Sequence, residues 1–147
     1  MDVINRVIEW KPEDLVVNMH ICRGNFRSTW FSSGGYEPVA KTLFGHCRVD
    51  GFFLEYDSDR AGDFTPLRYI KDQKVVLGLI TSKSGDLEDK GEVIARIKEA
   101  SQYVPLEQLC LSPQCGFSST EEGNILTIEA QWDKLKLIDE IVHEVWG

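Results

Sequence analysis

The chain has 147 residues, enough for one domain with a sizeable core, and 42% hydrophobic against 27% charged residues is the balance of a soluble globular protein. A net charge of −8 with no block of Lys and Arg argues against nucleic-acid binding, which needs clustered cations opposite phosphates. No apolar run approaches the roughly 18 residues of a membrane span, and MDVINRVIEW lacks the basic-then-apolar order of a signal peptide, so a cytoplasmic protein acting on small molecules is expected, with no membrane partner.

A helical segment is expected around Val3 to Trp10. Four short, bulky, apolar runs follow: LVVNMH (Leu15 to His20), VDGFFLEY (Val49 to Tyr56), KVVLGLI (Lys74 to Ile80) and LCLSP (Leu109 to Pro113). The first three are nearly continuous rather than alternating, which is how parallel strands covered on both faces read. Between them lie helical patterns. GGYEPVAKTLFG carries Val39, Ala40, Leu43 and Phe44 at helical spacing, with Gly45 as a stop. DKGEVIARIKEASQYV sets Val93, Ile94, Ile97, Ala100 and Val104 on one stripe, Glu92 and Arg96 outward, and Pro105 at its end. Pro66 to Ile70 reads as a short helical turn. The last helix starts after Thr127 as N-cap and presents Trp132, Leu135, Ile138, Val142 and Val145 on one face.

Strand and helix therefore alternate four times, which predicts an α/β fold with a parallel sheet and right-handed crossovers. Nothing resembles a linker, so residues 1–147 read as one domain. Four such units are half of a (βα)8 barrel, and a four-stranded parallel sheet has two unpaired edges that invite another chain. A homo-oligomer, a complementing N-terminal half-barrel, or a fragment of something longer are the open readings.

In parallel α/β folds chemistry gathers at the carboxyl ends of the strands. Strand one ends in His20 and Cys22, strand two in Glu55 followed by YDSDR, strand three in TSKSG, strand four in SPQCG with Cys115. His20 and Cys22, two apart in extended chain, point to one side. An imidazole, two thiolates and a carboxylate form a tetrahedral set suited to zinc. Such a centre carries one net negative charge and keeps it if a substrate thiolate replaces the carboxylate, which favours thiol alkylation over water activation. The plainer alternative is that the cysteines are simply buried and that Glu55 pairs with Arg60. Asp57 and Arg60 either orient a substrate or pair with each other. GFSSTEEGN either cradles a substrate or is a connector. His46 and Cys47 precede a strand, at the wrong end for the site. Cys110 reads as core, His143 as solvated, and Trp132 and Trp146 as helix packing.

The stretches MHICRGNF, GFFLEYD, VVLGLITSKSGDLEDK and LCLSPQCGFSSTEEGN together resemble the C-terminal catalytic region of the cobalamin-independent methionine synthase family, over about Val3 to Gly147. The resemblance implies the second half, strands five to eight, of a (βα)8 TIM barrel. It implies zinc held by His20, Cys22, Glu55 and Cys115, with Glu55 yielding its place to the substrate thiol. The activity implied is transfer of a methyl group from 5-methyltetrahydropteroyl-glutamate to homocysteine, giving methionine. The family's first half, which supplies carboxylates for the amino group of homocysteine and part of the folate surface, has no counterpart here. Its histidine after strand seven has its nearest match in TSKSG, at Lys83, read as an acid or an anion contact. That departure leaves other methyl donors open. Asp57, Arg60 and Ser82 are the expected substrate contacts.

Overall fold

The computed structural model describes residues 1–147. The apolar runs form four strands, β1 (Asn18–Ile21), β2 (Gly51–Glu55), β3 (Lys74–Ile80) and β4 (Leu109–Pro113). They pair in chain order, each parallel to the next. The connections carry α1 (Asp2–Ile8) ahead of β1, α2 (Glu37–His46), α3 (Lys90–Ala100) and α4 (Ile128–Trp146), with 3-10 turns at Asp59–Ala61, Thr65–Tyr69 and Leu106–Gln108.

The core lies between the helices and one face of the sheet. Ala40, Leu43 and Phe44 of α2, Val93, Ile94, Ile97 and Ala100 of α3, and Ile141 of α4 pack with Phe52, Leu54, Val75 and Leu77. Tilted ring contacts link Tyr36, Phe44 and Phe52, and continue from Tyr36 through Tyr56 to Phe64, with centroids 4.5–5.7 Å apart. The second face of the sheet is covered only in part: Phe53 remains 36% exposed and Cys110 and Ser112 half-buried. Continuous apolar patterning implied cover on both faces. The helices supply that cover on one face, while the other stays partly open at Phe53, Cys110 and Ser112.

Several local expectations shift. Leu15 and Val16 stay outside β1 and exposed, because the strand forms only where β2 is beside it. α2 runs through Gly45 to His46 and is closed by Cys47, whose N–H donates to Leu43 O. α3 ends at Ala100, ahead of Pro105, and Asp89 caps its start by accepting from the Glu92 N–H. Arg96 turns inward, donating to Tyr56 O at 2.5 Å and lying over the Phe64 ring. On α4 the Thr127 cap forms as expected, yet Trp132 is 56% exposed. Lys134 takes the buried position and donates to Asp86 O and the Glu88 carboxylate. A buried ammonium with three acceptors is satisfied, and it pins the loop after β3.

Gly78 permits the closest approach of backbone to backbone in the sheet. A Cβ there would lie 2.8 Å from both Gln114 Cα and Leu54 O, at the irregular pairing of β3 with β4. These are backbone atoms and cannot rotate away. Gly78→Ala is expected to destabilise the chain by about 2 kcal/mol or more, read as a lower urea midpoint. An unchanged midpoint would show that the strands separate without cost.

Candidate metal centre

β1 delivers His20 from within the strand and Cys22 just past its end. Cys115 follows β4 by two residues, on the opposite edge of the sheet. The sheet curls enough to bring the two edges together at this end. Cys115 Sγ lies 3.5 Å from His20 Nε2, and the donor atoms of His20, Cys22 and Cys115 all fall within 4.8 Å of one another. They open on a cavity of about 650 Å3 lined also by Asn25, Phe53 and Phe117.

Donors around one tetrahedral zinc stand about 3.3–3.8 Å apart, given Zn–N and Zn–S bonds of about 2.0–2.3 Å. The cluster is about one ångström wider at most, a distance that rotation of the exposed Cys22 side chain covers. Partial burial holds the His20 imidazole below its ordinary pKa, against the charge of Glu55, which favours the neutral ring whose nitrogen can bind a metal. Burial, and then the neighbouring Cys22, push the Cys115 thiol up to about 12. A cation supplies what that thiol lacks for ionisation. The donor set therefore fits zinc.

Glu55 lies outside this cluster. Its carboxylate is fully buried, with Oε1 accepting from Arg60 Nε at 3.1 Å and Nη2 at 2.6 Å. Oε2 accepts from the Arg23 N–H at 3.0 Å. Burial opposes its charge, but the Arg23 N–H, Arg60 and the charge of Lys83 outweigh it and hold the carboxyl below its usual value. Asp57 and Arg60 pair at 3.0 Å. Lys83 Nζ stands 3.6 Å from the other Asp57 oxygen. Ser82 is buried and bonded internally, donating to Gln114 Oε1 at 2.6 Å. Cys47 is buried next to an exposed His46 at the far end, and His143 is exposed on α4, its Nδ1 beside Asp139 O.

Two residues of the site escaped the sequence reading. The Asn25 amide donates to Ser82 Oγ, Gly116 O and Ser119 Oγ, tying the loop after β1 to the loop after β4 beside the cysteines. Arg23 stacks over Tyr36 and bonds to Gly34 O and Glu55 O. Gly24 makes the turn between them: its φ of +98° and a Cβ position 2.9 Å from Phe31 N exclude other residues. The Arg-Gly-Asn triplet after HxC was the only visible signal.

No protein-family model matches the chain. A crystal structure from Listeria monocytogenes, of a protein provisionally named a vitamin-B12-independent methionine synthase, superposes with a TM-score of 0.75 at 48% identity, covering 99% of this chain and 40% of that one. The chain matches a fragment of the cobalamin-independent methionine synthase family. The uncharacterized protein YxjH of Bacillus subtilis is 58% identical over 145 residues, which is 97% of this chain and 38% of that protein. The methionine synthase of Pyrococcus horikoshii is 23% identical over 116 residues, 79% of this chain and 30% of the archaeal one. The chain thus spans about two fifths or less of the length of these relatives. Its parallel βα sheet is the fold that, in the methionine synthases, belongs to a TIM barrel.

Proposed function

We propose that residues 1–147 form the zinc-binding, C-terminal half of a methionine-synthase-type barrel, which moves a methyl group from 5-methyltetrahydropteroyl-glutamate to the thiol of homocysteine. The observation that carries this reading is the convergence of His20, Cys22 and Cys115 at the carboxyl end of a parallel sheet. Zinc bound there would hold a thiol as its nucleophilic thiolate at neutral pH. His20 gives a neutral nitrogen, Cys22 and Cys115 give thiolates, and three protein donors leave the fourth tetrahedral position to the acceptor. Arg60 holds Glu55 to one side, which is where the carboxylate belongs once a thiol has taken its place. Asp57, Arg60 and Ser82 order the floor of the site, and Lys83 supplies a positive charge beside it.

The test is methionine formation from homocysteine and methyl-folate by the zinc-loaded chain, alone and mixed with the remaining three fifths of the Listeria relative. Activity only in the mixture is the expected result. Absence of activity in both, with zinc bound, would remove methyl-folate as the donor.

A second reading concerns assembly, and the two edges of the sheet support it. Val3 and Val7 of α1, Trp10, and Leu15 and Val16 before β1 are exposed. Ile125, Ile128 and Trp132, at the start of α4, are exposed as well. A complementing half-barrel would cover both edges at once, joining apolar surface to unpaired strand backbone.

A further inference from the structure

β1 and β4 are the two edges of the sheet and share no backbone ladder. The spacing of Cys22 against Cys115 is therefore set by the loops that follow these strands, and one buried side chain joins the two loops. Asn25, just beyond Cys22 in the chain, is 8% exposed. Its Nδ2 donates to Gly116 O, next to Cys115, at 3.2 Å. It also donates to Ser119 Oγ at 2.8 Å and to Ser82 Oγ at 3.2 Å.

The neighbours leave this amide one orientation. Gly116 O can only accept. Ser82 gives its hydroxyl proton to Gln114 Oε1 at 2.6 Å, and Ser119 gives its own to Gly116 O at 3.3 Å. All three oxygens thus turn lone pairs toward Asn25, and only the NH2 end of the amide satisfies them. A carboxylate of the same shape has no proton to offer Gly116 O.

Both ends of the link are stiff. Between Cys22 and Asn25, the Arg23 N–H donates to Glu55 Oε2, and the Arg23 guanidinium holds Gly34 O and Tyr36 Oη. On the other side, Gln114 and Gly116 flank Cys115. The Gln114 N–H donates to Ile80 O at 2.7 Å, and its side chain is held by Ser82. Displacing the Asn25 amide therefore displaces one thiol against the other, with little slack between. A second tie, the Ile125 N–H donating to Ser28 Oγ at 2.9 Å, joins the same two loops farther along the chain from both cysteines.

We propose that Asn25 is a positioning residue of the metal centre, its amide fixing the distance between Cys22 and Cys115 before an ion arrives. This rests on the metal-binding reading above and goes beyond it: the chain itself sets the ligand spacing. An ion that finds its donors already spaced is bound more tightly than one that must first order two loops.

The experiment uses the full chain. Zinc affinity is read by competition with a chromophoric chelator, and the geometry of the centre by the visible spectrum of the cobalt(II)-loaded protein. Asn25→Ala, and the isosteric Asn25→Asp that keeps the side-chain volume, are expected to lower zinc affinity by about ten- to a hundredfold, the usual effect of removing a group that orients ligands. Both should also shift the cobalt band. Ser28→Ala, which cuts the other tie, is expected to leave affinity and spectrum as in the wild type. An equal loss in Ser28→Ala would mean that any tie between the loops serves, and would overturn the proposal. Wild-type affinity and spectrum in the Asn25 variants would overturn it too, with the metal centre left standing. A wild-type chain that takes up neither zinc nor cobalt would remove the metal centre, and this proposal with it. Thermal unfolding of the metal-free chains separates positioning from stability: Asn25→Asp is expected to remain folded at the assay temperature. Unfolding there would make Asn25 a purely structural tie and overturn the proposal.

Discussion

Purified under reducing conditions, the chain is expected to carry close to one zinc ion, and Cys22→Ser or Cys115→Ser to remove it. Structural zinc sites in zinc-finger peptides are worth about 10–16 kcal/mol at neutral pH, so an even share among four ligands is about 3 kcal/mol, more than a hundredfold in affinity. The loss at Cys115 should be the more abrupt. Its half-buried thiol, pushed up to about 12, needs a cation beside it to ionise at neutral pH, and a serine hydroxyl there is far harder to ionise. His20 needs no such help, since an imidazole binds a metal as the neutral base and partial burial lowers its pKa further. Elemental mass spectrometry per mole of protein reads the result. Tight zinc retention by both serine variants would sink the assignment of this cluster as the metal centre.

Arg60→Met should destabilise the metal-free chain by about 3–5 kcal/mol, the usual consequence of stranding one partner of a buried ion pair. Glu55 is fully buried, and Arg60 provides two of its hydrogen bonds. The effect has a definite pH signature. The carboxyl of Glu55 is depressed in the folded protein, so its stabilising contribution is complete above the ordinary glutamate value and fades as the pH falls below it. The difference between Arg60→Met and wild type should therefore be largest near neutrality and shrink in acid. Adding Glu55→Gln to Arg60→Met should recover part of the loss, because the stranded charge is gone. Urea midpoints at several pH values measure all of this, and coincident midpoints for Arg60→Met and wild type would refute it.

Much of the frame was legible because the strands are short runs of branched residues bounded by polar ones. β3 and β4 fall at the residues expected, and Thr127 caps α4 as its spacing implied. The pairing of His20 with Cys22 followed from the two-residue period of extended chain, and the approach of Cys115 from the rule that strand ends share one rim. The position of Glu55 was less accessible. A buried carboxylate five residues before an arginine and across from two thiols has two possible partners, and sequence spacing does not rank them. Arg96 and Lys134 were placed outward on charge alone or left out of the buried stripe. Long aliphatic stems let both reach backbone carbonyls inside, which a helical stripe does not register. Asn25 was missed for a related reason: its three acceptors lie on Ser82, Gly116 and Ser119, far away in the chain.

The three converging side chains come from the first and the last strand of the sheet, the two that have a neighbour on one side only. An ion bound to them would act as a clasp across the open ends, joining residues 22 and 115 much as a covalent cross-link does. Closing a loop of about ninety residues removes more freedom from the unfolded chain than a local ligand pair would, by analogy with about 4–5 kcal/mol for a disulfide of that span. The outer strands, which would otherwise fray independently, would then detach together. The same ion that prepares a thiol for reaction would also fix the curvature against which any second half has to fit.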